Sequence, residues 1–155
     1  MSTIRCVFIG GLAVGKTKLL KTASFDSGRC PPTIGVDNVL FDYRNYHFQC
    51  WDTSGSPKFK AVSQLFIKSA AVIVYVYDAH RPETLVEVPQ NAIIVANVKN
   101  GRVEHHLNHL HINVADRDDV ESLLDILIES FVSRVSLGTI EIESTRSAKD
   151  CCVCC

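Results

Sequence analysis

The chain has 155 residues, 46% hydrophobic and 21% charged, with 16 Lys+Arg against 17 Asp+Glu and a formal net charge of −1. That length holds one ordinary domain with enough apolar material for a core. The charge balance excludes a general nucleic-acid binder, which needs excess base against phosphate. The longest apolar run, Ala70 to Tyr77, is too short to span a bilayer.

Ile4 to Ile9 is apolar, β-branched and aromatic, which predicts a buried strand. A glycine-bearing loop, Gly10 to Gly15, follows, then a helix from Thr17 to about Ser24 with Leu19 and Leu20 inward. Asp26 to Pro32 holds a glycine and two prolines and reads as a loop. Gly35 to Tyr43 and Tyr46 to Asp52 read as strands joined in a hairpin at Arg44-Asn45. Thr53 to Lys58 is a loop and Phe59 to Ser69 a helix. Ala70 to Asp78 is hydrophobic on both faces, as a central strand covered on both sides must be. Ala92 to Ala96 is a second such strand, and His109 to Ala115 a weaker third. Asp118 or Asp119 is placed to cap a last helix, in which Val120, Leu123, Leu124, Leu127, Ile128 and Phe131 keep helical spacing. This order predicts an open α/β sheet over residues 1–135. Residues 136–155 have no clean period and read as a flexible tail. The N-terminus lacks the apolar core of a secretion signal, so a cytoplasmic protein is expected.

The clearest chemistry lies in GGLAVGKT, Gly10 to Thr17, which fits G-x-x-x-x-G-K-[ST] at every position. Such a loop must curl until several N–H groups meet one phosphate, which favours glycine. The helix that follows adds its positive dipole end. The candidate phosphate ligands are the loop residues Gly10, Gly11, Leu12, Ala13, Val14 and Gly15 with the Lys16 ammonium. The Thr17 hydroxyl is a candidate Mg²⁺ ligand. WDTSG, Trp51 to Gly55, leaves a predicted strand; Asp52 is placed to hold Mg²⁺ through water, and the Gly55 N–H to approach a terminal phosphate.

With TIGVD (Thr33 to Asp37) and VYVYDAHRPETL (Val74 to Leu85) in the same order, the chain resembles the small GTPases of the Ras superfamily, the Rab branch in particular. The resemblance covers most of residues 4–85 and the cysteine-rich tail. It implies a three-layer P-loop G domain, with a six-stranded, mostly parallel sheet and one antiparallel hairpin strand. It also implies Mg²⁺-dependent binding of GTP and GDP, with GTP hydrolysis. Thr33 would close on Mg²⁺ and the terminal phosphate, residues 32–40 would form the effector region, and about 53–66 the second switch. The implied partners are Rab-type effectors, exchange factors, the prenylation machinery and the cytosolic face of membranes in vesicle trafficking.

The departures from the family pattern are specific. Ser56 stands where the family usually has the Gln that orients the attacking water, so Gly55 and Ser56 are the catalytic candidates and hydrolysis is expected to be slow. Leu12 is bulky where an arginine finger would enter. The base-reading N-K-x-D falls on Asn97, Val98, Lys99 and Asn100, of which Asn97 and Asn100 are candidate nucleotide ligands. On Asn100 an NH₂ would face a base donor; an unpaired buried donor costs about 1–3 kcal/mol, so guanine selectivity is expected to fall by about tenfold or more. Asn113, Val114 and Ala115 match the second base element by position alone. Thirteen residues between Asp78 and Ala92, and twelve between Asn100 and Asn113, replace family helices, so two helices are reduced or missing. Apolar sheet surface is then expected to be exposed.

Cys151, Cys152, Cys154 and Cys155 admit three readings. The resemblance favours prenylation of Cys154 and Cys155, with two lipid chains giving stable anchoring. A zinc site and unmodified thiols are the others. His105, His106, His109 and His111 read as a solvated loop and strand start rather than a metal site. Two other functions stay open. One is a catalytically weak or nucleotide-indifferent Rab mimic, favoured by Ser56, Val98 and Asn100. The other is a P-loop kinase or ATPase.

Overall fold

A computed structural model describes residues 1–101 and 108–140. Strands are β1 (Ser2–Ile9), β2 (Val36–Tyr43), β3 (Tyr46–Thr53), β4 (Val72–Asp78), β5 (Ile93–Asn97) and β6 (Leu110–Ile112). Helices are α1 (Lys16–Ala23), α2 (Lys60–Ser69) and α3 (Arg117–Ser136), with single 3₁₀ turns at Pro57–Phe59 and Pro82–Thr84. The six strands lie in the order β2-β3-β1-β4-β5-β6, antiparallel between β2 and β3 and parallel elsewhere. This is the expected mixed α/β sheet.

The topology fixes where a ligand can bind. β1 lies between β3 and β4: the chain first runs to β2 and β3 on one side and then crosses to β4 on the other, so the sheet order reverses there. A crevice opens beyond the carboxyl end of β1, the place where open α/β sheets bind ligands. Every residue of β4 is buried, as its two-sided hydrophobicity requires. One face packs Leu19, Leu20 and Ala23 of α1 and Val120, Leu123, Leu124, Leu127 and Phe131 of α3 against the sheet. Each such leucine contributes about 1.5–3 kcal/mol through burial.

The opposite face carries Val7, Ile73, Tyr75, Tyr77 and Ala96. Here α2 supplies Phe66 and Ile67, and the stretch between β4 and β5 supplies Leu85 and Val88. The expected helix is reduced to the turn at Pro82–Thr84, yet the strand beneath it is not bare. The Tyr75 hydroxyl reaches Thr84 O at 3.1 Å and Val86 O at 2.6 Å, which pins irregular backbone over the sheet. Among the described residues, Val86 remains 58% exposed there, so the expected exposure is local.

Two expectations need correction. The cap of α3 is Asp116, which accepts from the N–H groups of Asp118 at 3.0 Å and Asp119 at 3.3 Å. Asp116 lies in extended backbone before the helix, the conformation an N-cap needs, and the Asp119 carboxylate instead takes Asn113 N–H at 2.7 Å. The last strand is also shorter than expected: Asn113 leaves the ladder to close a turn in which its Oδ1 accepts from Ala115 N–H at 3.0 Å. His105, His106 and all four tail cysteines lie outside the described residues.

Candidate phosphate-binding site

The loop over Gly10 to Gly15 runs from the end of β1 into the first turn of α1. Gly15 precedes the helix at φ 110°, and no side chain caps it, so the first-turn N–H groups are open to an anion. Gly10, at φ 145°, lies so close to β4 that a Cβ would stand 2.0 Å from Val76 O. On Gly15 a Cβ would stand 2.6 Å from Asn97 Nδ2. Ala13 also has positive φ, 55°, which a non-glycine residue adopts at a cost of about 1–2 kcal/mol. A pocket of about 400 Å³ opens over this loop, lined by Leu12, Ala13, Gly15, Lys16, Thr17 and Thr33 among others.

Lys16 is 6% exposed, and its ammonium donates to Gly10 O at 3.0 Å and Gly11 O at 2.6 Å. Burial lowers its pKa from 10.5 to about 8, against the pull of the Asp52 carboxylate. A lowered lysine pKa means that the folded state sheds the proton first. Stability from this group therefore rises with pH between about 8 and 10.5, while the charge available to an anion falls. The affinity of this loop for a diphosphate ester is accordingly expected to decline between about pH 7.5 and about 9. Isothermal titration across that range checks it, and a flat profile would place the ammonium outside the phosphate site.

Three oxygen-bearing side chains from separate elements meet beside Lys16. Thr17 Oγ1 donates to Asp52 Oδ2 at 2.5 Å, and Thr33 Oγ1 donates to the same oxygen at 3.0 Å. The two hydroxyl oxygens are 3.0 Å apart. Asp52 Oδ1 is buried and has no hydrogen-bond partner among the described residues. Burial raises the Asp52 pKa, and the charge of Asp37 adds to this, against the two hydroxyls and Lys16. An orphaned carboxylate oxygen costs about 1–3 kcal/mol unless something engages it. Two hydroxyls and a carboxylate form a hard oxygen donor set, so Thr17, Thr33 and Asp52 fit Mg²⁺.

Gly55 closes the other wall, where an added Cβ would stand 2.3 Å from Gly11 O and 2.5 Å from Leu12 N. The Ser56 N–H is held by Ser54 Oγ at 3.2 Å. Leu12 is 56% exposed at the mouth. Asn97 is buried and donates to Val14 O at 3.0 Å, so it braces the loop from β5. Asn100 sits beyond it; its Oδ1 accepts from Asn113 Nδ2 at 2.9 Å, which joins the two segments expected to read a base. Among the described residues no group of three His, Cys, Asp or Glu could hold a metal, and His109 Nδ1 lies 3.0 Å from the Tyr77 hydroxyl.

Sequence reasoning missed Asp78, Arg81 and Lys99. Asp78 is fully buried at the end of β4 and receives Arg81 Nε at 3.0 Å and Lys99 Nζ at 2.8 Å. Burial pushes its carboxyl upward, but Lys99, Arg81 and the His80 N–H outweigh it and hold the pKa below the usual range. The available signal was an acid ending an otherwise apolar strand, which demands a partner.

Residues 5–133 match the sequence model of the Ras family. Ras-related protein Rab-12 of Homo sapiens is 31% identical over 93 residues, covering 56% of this chain and 38% of that protein. Ras-related protein Rab-20 of Mus musculus is 28% identical over 99 residues, covering 62% and 42%. Ras-related protein Rab-30 of Homo sapiens is 30% identical over 124 residues, covering 75% and 60%. The chain thus spans from 38% to 60% of the length of these relatives. The phosphate loop, the six-stranded sheet and the match over 5–133 agree: this chain belongs to the Ras family, with distant likeness to Rab proteins.

Proposed function

We propose that this protein is a switch that binds GTP and GDP with Mg²⁺ and hydrolyses GTP slowly. The observation that carries the reading is the meeting of Thr17, Thr33 and Asp52 beside Lys16, with Asp52 Oδ1 unpartnered. Bound Mg²⁺ supplies neutralisation of charge on the outer phosphates. The Lys16 ammonium and the loop amides hold those phosphates, and Thr33 ties the 30–37 segment to the site. Gly55 brings its N–H toward the terminal phosphate. Ser56 has a shorter reach than Gln and is poorly suited to orient a water, hence the slow chemistry.

The test is to denature the purified protein, identify the released nucleotide, and titrate GTP, ATP and XTP with Mg²⁺. GDP or GTP at near-stoichiometric level supports the reading, and ATP in the site overturns it. Binding of none favours the mimic, the second reading, which Val98 and Asn100 support. Asn100→Asp is expected to tighten GTP binding by about tenfold, since a carboxylate can keep Asn113 on one oxygen and accept base N–H groups on the other. Unchanged affinity would put the base elsewhere.

The proposal extends to a trafficking role with lipid on Cys154 and Cys155, supported by the thiol pair and the Rab relatives. In cells that prenylate, changing both cysteines to Ser is expected to move the protein from the membrane fraction to the soluble one. Unaltered fractionation would end that part of the proposal.

A further inference from the structure

The turn after β4 touches both sides of the site. At its start Asp78 binds two cations from different places, Arg81 three residues on and Lys99 on the segment after β5. Arg81 uses a second amino group to donate to Ala13 O in the phosphate loop, at 3.0 Å. The same turn is laced to the base-side segment: Ala79 N–H donates to Asn97 O at 3.0 Å, and His80 Nε2 lies 2.9 Å from Val98 O. A carbonyl only accepts, so that nitrogen of His80 carries the proton. Both residues that the turn grips have positive φ without being glycine, Ala13 at 55° and Lys99 at 51°. Such backbone persists only where its surroundings fix it.

We propose that the Asp78–Arg81 turn is a clasp holding the phosphate loop to the base-side segment, with Arg81 as a positioning residue for nucleotide binding. Arg81 acts by keeping the Ala13 carbonyl turned outward, so that the neighbouring N–H groups stay turned toward the phosphates. Asp78, fully buried, in turn fixes the guanidinium and holds Lys99 on the same oxygen, so one buried charge ties both ends of the clasp. Val98 stands where the family motif has a lysine, and the neighbouring Lys99 is turned to the buried Asp78 of the clasp. The inference rests on the nucleotide reading above.

The test compares Arg81→Met, Arg81→Lys and the double variant Arg81→Met with Ala13→Gly. Titrations use GDP and inorganic pyrophosphate, and amide hydrogen exchange is followed over residues 12–17 of the nucleotide-free protein. Arg81→Met is expected to weaken both ligands by about tenfold, the loss of one charge-assisted bond, and to speed exchange in the loop. Arg81→Lys should recover part of the loss. Glycine at position 13 accepts positive φ without help, so the double variant should recover most of it. A merely structural role for Arg81 would not be relieved at position 13. Wild-type affinity and exchange in Arg81→Met would overturn the clasp, as would a double variant no better than the single one. If the wild-type protein bound neither ligand, the nucleotide reading would fail, and the exchange rates alone would still decide whether Arg81 holds the loop.

Discussion

Replacing Lys16 with Met is expected to weaken GDP binding by about 100-fold or more without lowering the melting temperature of the nucleotide-free protein. The loss follows from position. The ammonium is the one cation buried among the described residues, and it is bonded to the Gly10 and Gly11 carbonyls of the same loop whose amides would face phosphate. Charge-assisted bonds contribute about 1.5–3 kcal/mol each, and an ammonium on two phosphate groups makes at least two. The retained stability follows from the pKa: holding a charged lysine whose pKa has dropped from 10.5 to about 8 costs on the order of 3 kcal/mol at neutral pH. Met keeps most of the stem and removes that cost, which offsets the two carbonyl contacts. Calorimetric titration and thermal melting read the two effects separately. Affinity within threefold of wild type would move the phosphate away from Lys16.

Gly10→Ala is expected to cost at least about 3 kcal/mol of stability or to prevent folding. The new Cβ would stand 2.0 Å from Val76 O and 3.1 Å from Val76 C, which is backbone of a fully buried central strand. Neither strand can retreat, because β4 is paired on both sides, to β1 and to β5. The φ of 145° adds strain of its own. Gly11→Ala is the matched control: its Cβ would meet Val14 Cγ1 at 3.6 Å and Thr84 Cβ at 3.9 Å, ordinary contacts. Urea midpoints of the two variants check the contrast, and equal midpoints would refute it.

Much of the site was legible because its chemistry is local. Gly10 to Thr17 is one uninterrupted segment, and the freedom its glycines need is written in their identity. Ala70 to Asp78 announced a central strand by being apolar on both faces. What escaped was contact between segments. Asp116, Asp118 and Asp119 are alike by type, and it is the extended backbone at Asp116 and the two N–H groups its carboxylate accepts that separate them. The bond from Lys99 to Asp78 spans 21 positions, and no periodicity reports it. Pattern reading also looks for helices as covers. It did not foresee that Leu85 and Val88, in an irregular stretch, would lie over Tyr75 and Tyr77.

That irregular cover has a consequence for how the fold tolerates change. A helix is cooperative, so trimming one forfeits hydrogen bonds along its length. A coil fastened at a phenol oxygen and two apolar side chains can lose residues while its neighbours keep their places. The phosphate-loop groups hang from the ends of β1 and β3 and from the start of α1, and from that stretch they touch the Asp78–Arg81 turn rather than a helix. Abbreviation beyond the Asp78–Arg81 turn is therefore separable from the shape of the crevice, and a chain of this architecture can grow shorter there without losing it.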